Sequence, residues 1–340
     1  MRPVIIYPPT IDWDLLHQRP QQLFKSLSEL GSICIFCNRN LQKSYSNGIF
    51  RIKNNLMLSN GLSFNATVKW ARATYPSHPI VAYFTYPLQI KEILSAKVDL
   101  TIFDSVDEPV GEFSNWQLGY TDAVHQADIV IATARSLVDR AQSMIEEEVH
   151  FLPNGCDYEH FKIAQTPLYV EDMPFTQGKP IIGYIGAIAP WLDAPLINTM
   201  ARCLPNYEFI FIGALLGQRW AAFPSSNMHY LRHKNYSELP RYLSNFSYCL
   251  IPFKITDMTK GVNPIKYWEY LASGIPILST PLPEVHPEYV TTISEDMFPG
   301  YAPKPSIRNR DDRINLARDN SWTDRAYKLT DIIRGKLECG

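Results

Sequence analysis

The chain has 340 residues, of which 46% are hydrophobic and 19% are charged. This is a globular composition, and the length exceeds one ordinary core and suits two domains of about 150 residues each. Lys and Arg number 32 against 34 Asp and Glu. A balance so close to neutral argues against nucleic acid as the main partner.

The sequence also argues against secretion, a membrane span and a metal or redox site. The opening MRPVIIYPP lacks the long apolar stretch of a secretory signal, and no run of about 18 apolar residues occurs. Cys34 and Cys37 form a CxxC, but they lie in the apolar run SICIFCN without a second Cys pair or a His partner. We therefore predict a cytoplasmic protein with reduced cysteines and no metal site.

Strands and helices are predicted to alternate along the first half of the chain. A periodic stretch at about residues 13–30, ended by Gly31, predicts the first helix. Apolar runs rich in Val, Ile and Phe predict strands buried on both faces, as in a parallel doubly wound sheet. These runs are PVIIY, SICIFC, PIVAYF, DLTIF and DIVIAT, and HFLPNG closes the series.

A second alternating series follows a break in the pattern. Residues 161–180 carry three prolines and no periodicity, which is typical of a linker. Strands are then predicted at PIIGYIGAI, EFIFIGA, YCLIPF and IPILST, and helices at about residues 193–203, 238–245 and 264–272. Apolar residues at helical spacing from Trp322 predict a closing helix.

These patterns predict an α/β protein of two Rossmann-like domains with parallel doubly wound sheets. We place the N-terminal domain at residues 1–164, a linker at 165–180, the C-terminal domain at 181–320, and a final helix at 321–340. In such folds ligands bind beyond the carboxyl ends of the strands. We therefore expect the two domains to face each other across a cleft.

The segment TKGVNPIKYWEYLASGIPILST, residues 259–280, carries the chemistry of the second half. Gly261 allows close approach of a ligand to the backbone, Asn263 is a favoured N-cap, and Pro264 suits the first helical position. A helix N-terminus behind a glycine-bearing loop suits an anion, above all a diphosphate. The segment therefore predicts a site for a phosphorylated ligand.

Two charged residues on this predicted helix are candidates for ligand contacts. Lys266 lies in the first turn, where it could meet phosphate, and Glu269 could accept hydrogen bonds from sugar hydroxyls. A purely structural alternative remains at this point, in which the two residues form an exposed i,i+3 pair on a capped helix.

Candidate residues of the N-terminal half follow two predicted strands. Asp104 ends the strand in TIFDSVDE, and Asp107 lies in the loop after it. Either carboxylate could hold a ligand hydroxyl or act as its base, and either could instead cap the next element. Asp12, Trp13, His17 and Arg19 follow the first strand, where a cation could meet phosphate and Trp13 could stack on a ligand ring, although structural roles remain open for Trp13 and His17.

Five segments resemble GT-B glycosyltransferases of family 4, in that family's order. PIKYWEYLASGIPILSTPLPEV resembles the donor-site pattern P-x-K-x-x-E-Y-L-A-x-G-x-P-x-x-x-T, and VHFLPNGCDYEHF resembles the segment PNG-x-D-x-x-x-F. IIGYIGAIAPWLD resembles the first C-domain strand and loop. NYSELPRYLSNFSYCLIPF resembles the helix and strand before the donor loop. LARDNSWTDRAYKL resembles the C-terminal helix, which in that family crosses back to the N-terminal domain.

The resemblance implies roles for residues of the donor segment. Glu269 matches the later glutamate of the family's pair, which holds the ribose of the nucleotide. The earlier glutamate falls at Gly261, so its contact with the donor sugar must be made otherwise. The predicted donor-binding set is Lys260, Gly261, Val262, Asn263, Pro264, Lys266, Glu269 and Gly186.

A second departure concerns the neutralisation of phosphate. The basic pair that many relatives carry after the first C-domain strand is absent, because GAIAPW at residues 186–191 holds no Arg or Lys. The donor diphosphate would then depend on Lys266, on the helix terminus, and on Arg19 or Lys260. Asn154 and Asp157, in the PNG-x-D stretch, are expected to brace a hinge.

The function implied is transfer of a sugar from a nucleotide-sugar, UDP-linked by default, to a carbohydrate or lipid-linked acceptor. The resemblance further implies retention of configuration, no metal, no cofactor besides the nucleotide-sugar co-substrate, and a role in surface polysaccharide or glycoconjugate synthesis. A lipid-linked acceptor would allow peripheral contact with a membrane. Two alternatives stay open: a GT-B epimerase or glycoside phosphorylase, and a non-catalytic nucleotide- or glycan-binding protein.

Overall fold

The structure, a computed structural model, describes residues 2–14, 17–40, 45–174, 178–298, 300, 303 and 308–339. Contacts between residues divide the chain into two compact units. The first unit comprises Met1–Asn154, Gly261–Asn263 and Trp322–Gly340, and the second comprises Gly155–Lys260 and Pro264–Ser321.

The first unit is built on a sheet whose described strands run in the order β3-β4-β2-β1-β5-β6-β7-β8. All neighbouring pairs are parallel except β3 with β4. The inner strands are buried along their whole length and are mainly apolar, as in a sheet that is covered on both faces. The strands are β1 Val4–Tyr7, β2 Ile33–Cys37, β3 Gly48–Lys53, β4 Leu56–Asn60, β5 Ile80–Phe84, β6 Leu100–Ser105, β7 Ile129–Ala132 and β8 Val149–Phe151.

Helices alternate with these strands and cover the sheet. They are α1 Arg19–Glu29, α2 Phe64–Thr74, α3 Ile90–Ser95, α4 Gln117–Gln126 and α5 Arg135–Gln142. The helix at the end of the chain, Trp322–Cys339, also belongs to this unit and packs against α1. Trp322 is only 2% exposed, which agrees with its predicted structural role at the start of that helix.

The second unit has a parallel sheet in the order β11-β10-β9-β12-β13-β14 across its described strands. The strands are β9 Ile181–Ile185, β10 Glu208–Ile212, β11 Met228–Tyr230, β12 Tyr248–Ile251, β13 Ile277–Ser279 and β14 Val290–Thr292. The helices are α6 Tyr158–Phe161, α7 Ala194–Cys203, α8 Leu239–Leu243, α9 Asp257–Lys260, α10 Ile265–Ser273 and α11 Arg310–Arg318. The final helix of the chain, which belongs to the first unit, is labelled α12 and spans Trp322–Cys339. The prediction of two mainly parallel sheets with alternating helices is confirmed.

Several element boundaries differ from the sequence predictions. Helix α1 begins at Arg19, not near residue 13, because Pro20 suits only the first turn of a helix. Helix α10 begins at Ile265 with Pro264 as its N-cap, since ψ of Pro264 is 119° and therefore extended. Gly274 leaves the helix at φ 71°, as predicted.

The predicted boundary at residue 164 also differs from the division by contacts, which falls after Asn154. The stretch that read as a linker is tied into the second unit where the structure describes it. Gln165 donates to the carbonyl of Ala272 in α10 at 3.0 Å, and the amide of Leu168 donates to Ser244 at 3.0 Å. The prolines interrupt the hydrophobic periodicity of this stretch, so the sequence pattern did not indicate these contacts.

Cys34 and Cys37 lie inside β2, as the apolar run predicted. Both are buried, and burial raises the pKa of the Cys37 thiol to about 12. A thiol held protonated in this way is a poor nucleophile and a poor metal ligand. No helix among the described residues is long and apolar enough to cross a membrane.

One packing contact of the second sheet is directly testable. A Cβ on Gly183 in β9 would lie 2.0 Å from the ring of Phe246, so Gly183→Ala should destabilise the protein by about 1–3 kcal/mol through overpacking. The penalty should shrink in a Phe246→Ala background. Urea unfolding of the single and double variants measures this coupling. Gly335→Ala, at an exposed position of α12 with nothing within 4 Å, is the control and should be neutral or mildly stabilising.

Candidate functional site

In the second unit, the loop after β9 and the start of α10 lie side by side. Gly186, the first residue after β9, has φ 152°, and a Cβ there would lie 2.7 Å from Lys266 Cε and 3.1 Å from its Nζ. Tyr270 of α10 fixes the contact, because its hydroxyl accepts from the amide of Ile185 at 2.8 Å. Any side chain at residue 186 would therefore displace the lysine.

Lys266 is half-buried among aromatic rings. Its Nζ lies 4.8 Å from the ring centroid of Phe253 and 5.4 Å from that of Tyr184, which is within cation–π range. Burial lowers the pKa of Lys266 to about 8, and the charge of Glu269 partly offsets that effect. An anion bound here would restore the favourable environment that the ammonium lost on burial.

Glu269 lies one turn further along α10 and is only 8% exposed. Burial raises its pKa to about 7, with Lys266 opposing the rise and Asp157 adding to it. Within the residues that the structure describes, neither the Lys266 ammonium nor the Glu269 carboxylate makes a hydrogen bond or an ion pair. The alternative of an exposed surface pair is therefore wrong.

The remaining residues of the predicted donor set differ from Lys266 and Glu269 in exposure and in hydrogen bonding. Lys260 is exposed in α9 and pairs with Asp257 at 2.8 Å. Gly261 is buried, and Val262 is half-buried. Asn263 is 5% exposed and uses its carbonyl to accept a 2.6 Å hydrogen bond from Asn154 Nδ2. The N-cap of α10 is Pro264, which offers no side-chain acceptor to the helix.

In the first unit, the predicted residues Arg19 and Asp104 neutralise each other. Arg19 Nε donates to Asp104 Oδ2 at 2.6 Å and Nη2 donates to Oδ1 at 3.2 Å. The hydroxyl of Tyr83 donates to the same carboxylate. Arg19 is 3% exposed and Asp104 is fully buried. The expectation that Arg19 reaches phosphate does not agree with this placement, because its charge is buried and paired.

Asn154 and Arg325 extend this network, and the sequence analysis did not identify Arg325. Arg19 Nη1 donates to Asn154 Oδ1 at 3.2 Å, and Arg325 Nε donates to the carbonyl of Pro153 at 3.0 Å. Asn154 is thus held by Arg19 at the end of the segment after β8, and its expected role at a hinge stays a prediction. Asp157 belongs to the second unit, where it precedes α6.

Asp107 differs from Asp104 in both exposure and pairing. It is half-buried in the loop after β6, and within the described residues its carboxylate has no hydrogen bond or ion pair. Burial, followed by the charges of Asp104 and Glu108, raises the pKa of Asp107 to about 7. Of the two predicted carboxylates, Asp107 is therefore the one that a substrate hydroxyl could engage.

The residues after β1 are mostly engaged in packing. The amide of Trp13 donates to Asn38 Oδ1 at 2.9 Å, and its ring meets Phe36 edge-on at 5.1 Å and His17 at 6.3 Å. Asp12 is 5% exposed, and its carbonyl accepts from Gln21. Trp13 therefore packs against Phe36 of β2 and hydrogen-bonds to Asn38, which follows that strand.

The contrast between the two carboxylates predicts opposite effects on stability. Asp104→Asn leaves Arg19 buried without its counter-charge and should cost about 3–5 kcal/mol. Asp107→Asn should not destabilise the protein at pH 8. Because folding raises the pKa of Asp107, ionisation weakens the folded state as pH rises from about 4 to about 7, and the amide removes that loss. Urea unfolding at pH 8 measures the free energy of unfolding of both variants. Equal losses would contradict the assignment of Asp104, and not Asp107, as the paired carboxylate.

Comparison with curated proteins finds a relative in Bacillus subtilis (strain 168). It is TuaH, which its name provisionally calls a teichuronic acid biosynthesis glycosyltransferase, and it is 27% identical over 221 residues. The match covers 58% of this chain and 55% of TuaH, so the chain spans about half the length of this curated relative. No family model matches the chain.

Solved structures resemble the chain over its whole length. Sucrose-phosphate synthase from Thermosynechococcus elongatus aligns with a TM-score of 0.75 at 14% identity, covering 100% of both chains. Anabaena HepE, solved with UDP and glucose, aligns with a TM-score of 0.66 at 10% identity, covering 98% of this chain and 100% of its own. A provisionally named UDP-N-acetylglucosamine 2-epimerase from Listeria monocytogenes aligns at 0.52 and 9% identity, covering 100% and 98%. The two-sheet architecture and these likenesses show that the chain has the GT-B fold of glycosyltransferases.

Proposed function

We propose that this protein is a retaining, metal-independent glycosyltransferase that moves a sugar from a UDP-sugar to a carbohydrate or lipid-linked acceptor. The observation that carries the proposal is the pair Lys266 and Glu269. The fold holds Lys266 at the start of α10 beside Gly186 and Glu269 one turn further along the helix, and it gives neither of them a hydrogen-bonding partner among the described residues. A ligand that brings both anionic and hydroxyl groups would satisfy both.

The donor diphosphate is assigned to Lys266 and the N-terminus of α10. Free backbone amides at a helix start favour anions, and the nearby ammonium adds a full positive charge. Negative charge on the leaving diphosphate grows as the glycosidic bond breaks. Lys266 would therefore bind the transition state more strongly than the ground state, which is how an electrostatic group accelerates a reaction.

The ribose of the nucleotide is assigned to Glu269. An ionised carboxylate only accepts hydrogen bonds, and two adjacent ribose hydroxyls are suitable donors. Binding of the ribose is the same before and during reaction, so Glu269 should affect donor affinity more than turnover.

The acceptor hydroxyl is assigned to Asp107. Its carboxylate is half-buried, has no partner in the described part of the chain, and has a pKa raised to about 7. Such a group can hold a hydroxyl and take up its proton near neutral pH. Asp104 is less suited to that role, because it is fully buried and both of its oxygens already accept hydrogen bonds from Arg19 or Tyr83.

The comparisons support this class of reaction. TuaH is named as a glycosyltransferase of teichuronic acid biosynthesis, and HepE was solved with UDP and glucose. We accordingly assign the protein to surface polysaccharide or glycoconjugate synthesis in the cytoplasm, with peripheral membrane contact when the acceptor is lipid-linked. No further cofactor is needed, because the nucleotide-sugar supplies the group that is transferred.

The first test is transfer itself, assayed with UDP-glucose, UDP-galactose and UDP-N-acetylglucosamine against glycan and lipid-linked acceptors in excess EDTA. We expect release of UDP, a glycosylated acceptor with the donor's anomeric configuration, and full activity in EDTA. Activity that is lost in EDTA and restored only by Mg²⁺ or Mn²⁺ would contradict the proposed use of Lys266 and the helix terminus. An inverted product would contradict retention.

The same assay without acceptor separates the alternatives. The likeness to the Listeria epimerase keeps an epimerase under consideration, and an epimerase would change the sugar of the donor. A transferase would give at most slow hydrolysis. Binding of UDP without turnover on any acceptor would favour a non-catalytic protein.

The pKa values of the pair predict how binding depends on pH. Affinity for a UDP-sugar, whose diphosphate does not titrate between pH 6 and 9, should rise as Glu269 ionises near pH 7 and fall as Lys266 loses its proton near pH 8. Because the two groups interact, the midpoints of the acidic and alkaline limbs belong to the pair as a whole and not to either residue alone. Glu269→Gln should abolish the acidic limb, and Lys266→Met the alkaline limb, each lowering peak affinity about 10- to 150-fold. Calorimetry across the pH range gives all of these constants.

A matched control is the exposed i,i+3 pair Glu159 and Lys162 in the same unit. Glu159→Ala and Lys162→Ala should leave both the affinity and its pH profile unchanged, because exposed pairs contribute little. If the Lys266 and Glu269 variants behave like these controls, the donor assignment is wrong.

A further inference from the structure

Two aromatic rings flank the Lys266 ammonium, and they are held in place differently. The hydroxyl of Tyr184 donates to the carbonyl of Ala187 at 2.7 Å, so this ring has a hydrogen bond of its own. Phe253 is 4% exposed and has no polar atom in its side chain. The position of its ring therefore depends on the backbone of the loop after β12, and on what holds that loop.

The loop after β12 runs beside the loop after β9. The amide of Lys254 donates to the carbonyl of Trp191 at 2.8 Å, and the amide of Asp193 donates to the carbonyl of Pro252 at 2.8 Å. Pro190 also belongs to the loop after β9, and it has no amide N–H. The backbone ladder between the two loops therefore has no donor at Pro190.

The side chain of Lys254 supplies a contact at this position. Its Nζ donates to the carbonyl of Pro190 at 2.6 Å. The carbonyl of Lys254 accepts from Thr259 Oγ1 at 2.5 Å, and Thr259, in α9, is 1% exposed. Lys254 therefore joins the loop after β12 to the loop after β9 and to α9, directly next to Phe253.

We propose that Lys254 is a positioning residue of the donor site, whose hydrogen bond to Pro190 holds the ring of Phe253 against Lys266. The ring centroid lies 4.8 Å from Lys266 Nζ. The inference rests on the proposed function and deepens it, because it names a residue that keeps water from the group assigned to the diphosphate. Lys254 acts on that group through Phe253.

The titration of Lys266 reports whether the ring is in place. Burial is the largest cause of its lowered pKa, and the charge of Glu269 on the same helix opposes that effect. Tyr184 of β9 also faces the ammonium, and burial raises the pKa of its hydroxyl, so it stays neutral. A displaced Phe253 would admit water to the ammonium. The pKa of Lys266 would then rise from about 8 toward the ordinary lysine value.

The first experiment follows this titration in the ligand-free protein by NMR of isotope-labelled lysine Cε, with the Lys266 signal assigned through its loss in Lys266→Met. We expect Lys254→Met to raise the midpoint by about 0.5–1 pH unit, because methionine cannot donate to Pro190. Lys254→Arg should keep the wild-type midpoint, since arginine can donate. Phe253→Ala should raise the midpoint at least as far, and Lys254→Met should add nothing in that background.

Lys179 provides the matched control. It also donates to a proline carbonyl, that of Pro205 at 3.2 Å, but it precedes β9, at the opposite end of that strand from Gly186. Lys179→Met should therefore leave the Lys266 midpoint unchanged. If Lys254→Met does not fold, Lys254→Gln takes its place, because its amide nitrogen ends one bond short of the lysine Nζ.

Three results of the titration would overturn the positioning role. They are an unchanged midpoint in the folded Lys254 variant, an equal shift in Lys254→Arg, and a full further shift when Lys254→Met is added to Phe253→Ala. The last result would mean that Lys254 acts on Lys266 independently of the ring.

Affinity for UDP separates this inference from the proposed function. It is measured by calorimetry below the Lys266 midpoint, so that the ammonium is present in every variant. We expect Lys254→Met to weaken UDP about 2- to 12-fold, because an ammonium in contact with water attracts a diphosphate less strongly, and Lys254→Arg to match the wild type.

The remaining outcomes each overturn one of the two claims. A loss of UDP affinity with an unchanged Lys266 midpoint would show that Lys254 contacts the ligand, and a shifted midpoint with wild-type affinity would show that the ring does not matter to the donor. Either overturns the positioning role and leaves the donor site intact. A wild-type protein that binds neither UDP nor any UDP-sugar overturns the proposed function, even where the midpoint shifts as expected.

Discussion

The carboxyl edge of the first sheet depends on one buried ion pair, Arg19 with Asp104. Two fully desolvated charges are costly unless hydrogen bonds satisfy their remaining donors and acceptors. Here Arg19 directs its guanidinium to Asp104, to the carbonyl of Pro153 and to the side chain of Asn154, which in turn holds the carbonyl of Asn263. Helix α1, strand β6, the segment after β8 and the loop at Gly261–Asn263 are thereby fixed to each other. Asp107 and Glu108 lie three and four residues after Asp104, in the loop that follows β6.

Two charged side chains of the second unit, Lys266 and Glu269, are in the opposite situation. Neither has a hydrogen-bonding or ionic partner among the described residues, and burial shifts the pKa of each in the direction that favours its neutral form. A protein could avoid that cost by replacing both with apolar residues of similar volume. Under the proposed function, retaining them destabilises the empty site and strengthens interactions with a ligand that brings phosphate and hydroxyl groups. On that proposal, Arg19 with Asp104 is a structural contact because its charges are satisfied within the chain, and Lys266 with Glu269 is a binding contact because its charges are not.

The sequence predicted most of the central strands, because their apolar runs are continuous or nearly so. It missed β3, β4, β11 and β14, of which β4 is buried but ends in Ser59 and Asn60. Strand β3 carries exposed Phe50 and Arg51 at the edge of its sheet, and the turn after it needs Asn55 at φ 59°. At the site, the spacing of Lys266 and Glu269 was visible, but their burial was not. Tyr184 lies in β9 and Phe253 follows the neighbouring strand β12, so their rings come from separate parts of the sequence, and only the fold brings both to the lysine. The same limit applied to Asp104 and Asp107, since no local pattern tells which one meets Arg19.

Two departures from the family pattern had favoured a protein without catalysis: glycine at position 261 and no basic pair after β9. Each departure coincides with a glycine against which a charged side chain packs. A Cβ on Gly186 would lie 2.7 Å from Lys266 Cε, so the lysine occupies the space beside the loop after β9. A Cβ on Gly261 would lie 2.5 Å from Glu108 Cγ, so the glutamate occupies the space beside this glycine. In both cases the charged side chain comes from another element, and a larger residue at the glycine position would displace it. The two departures therefore reflect local packing and are not by themselves evidence against catalysis.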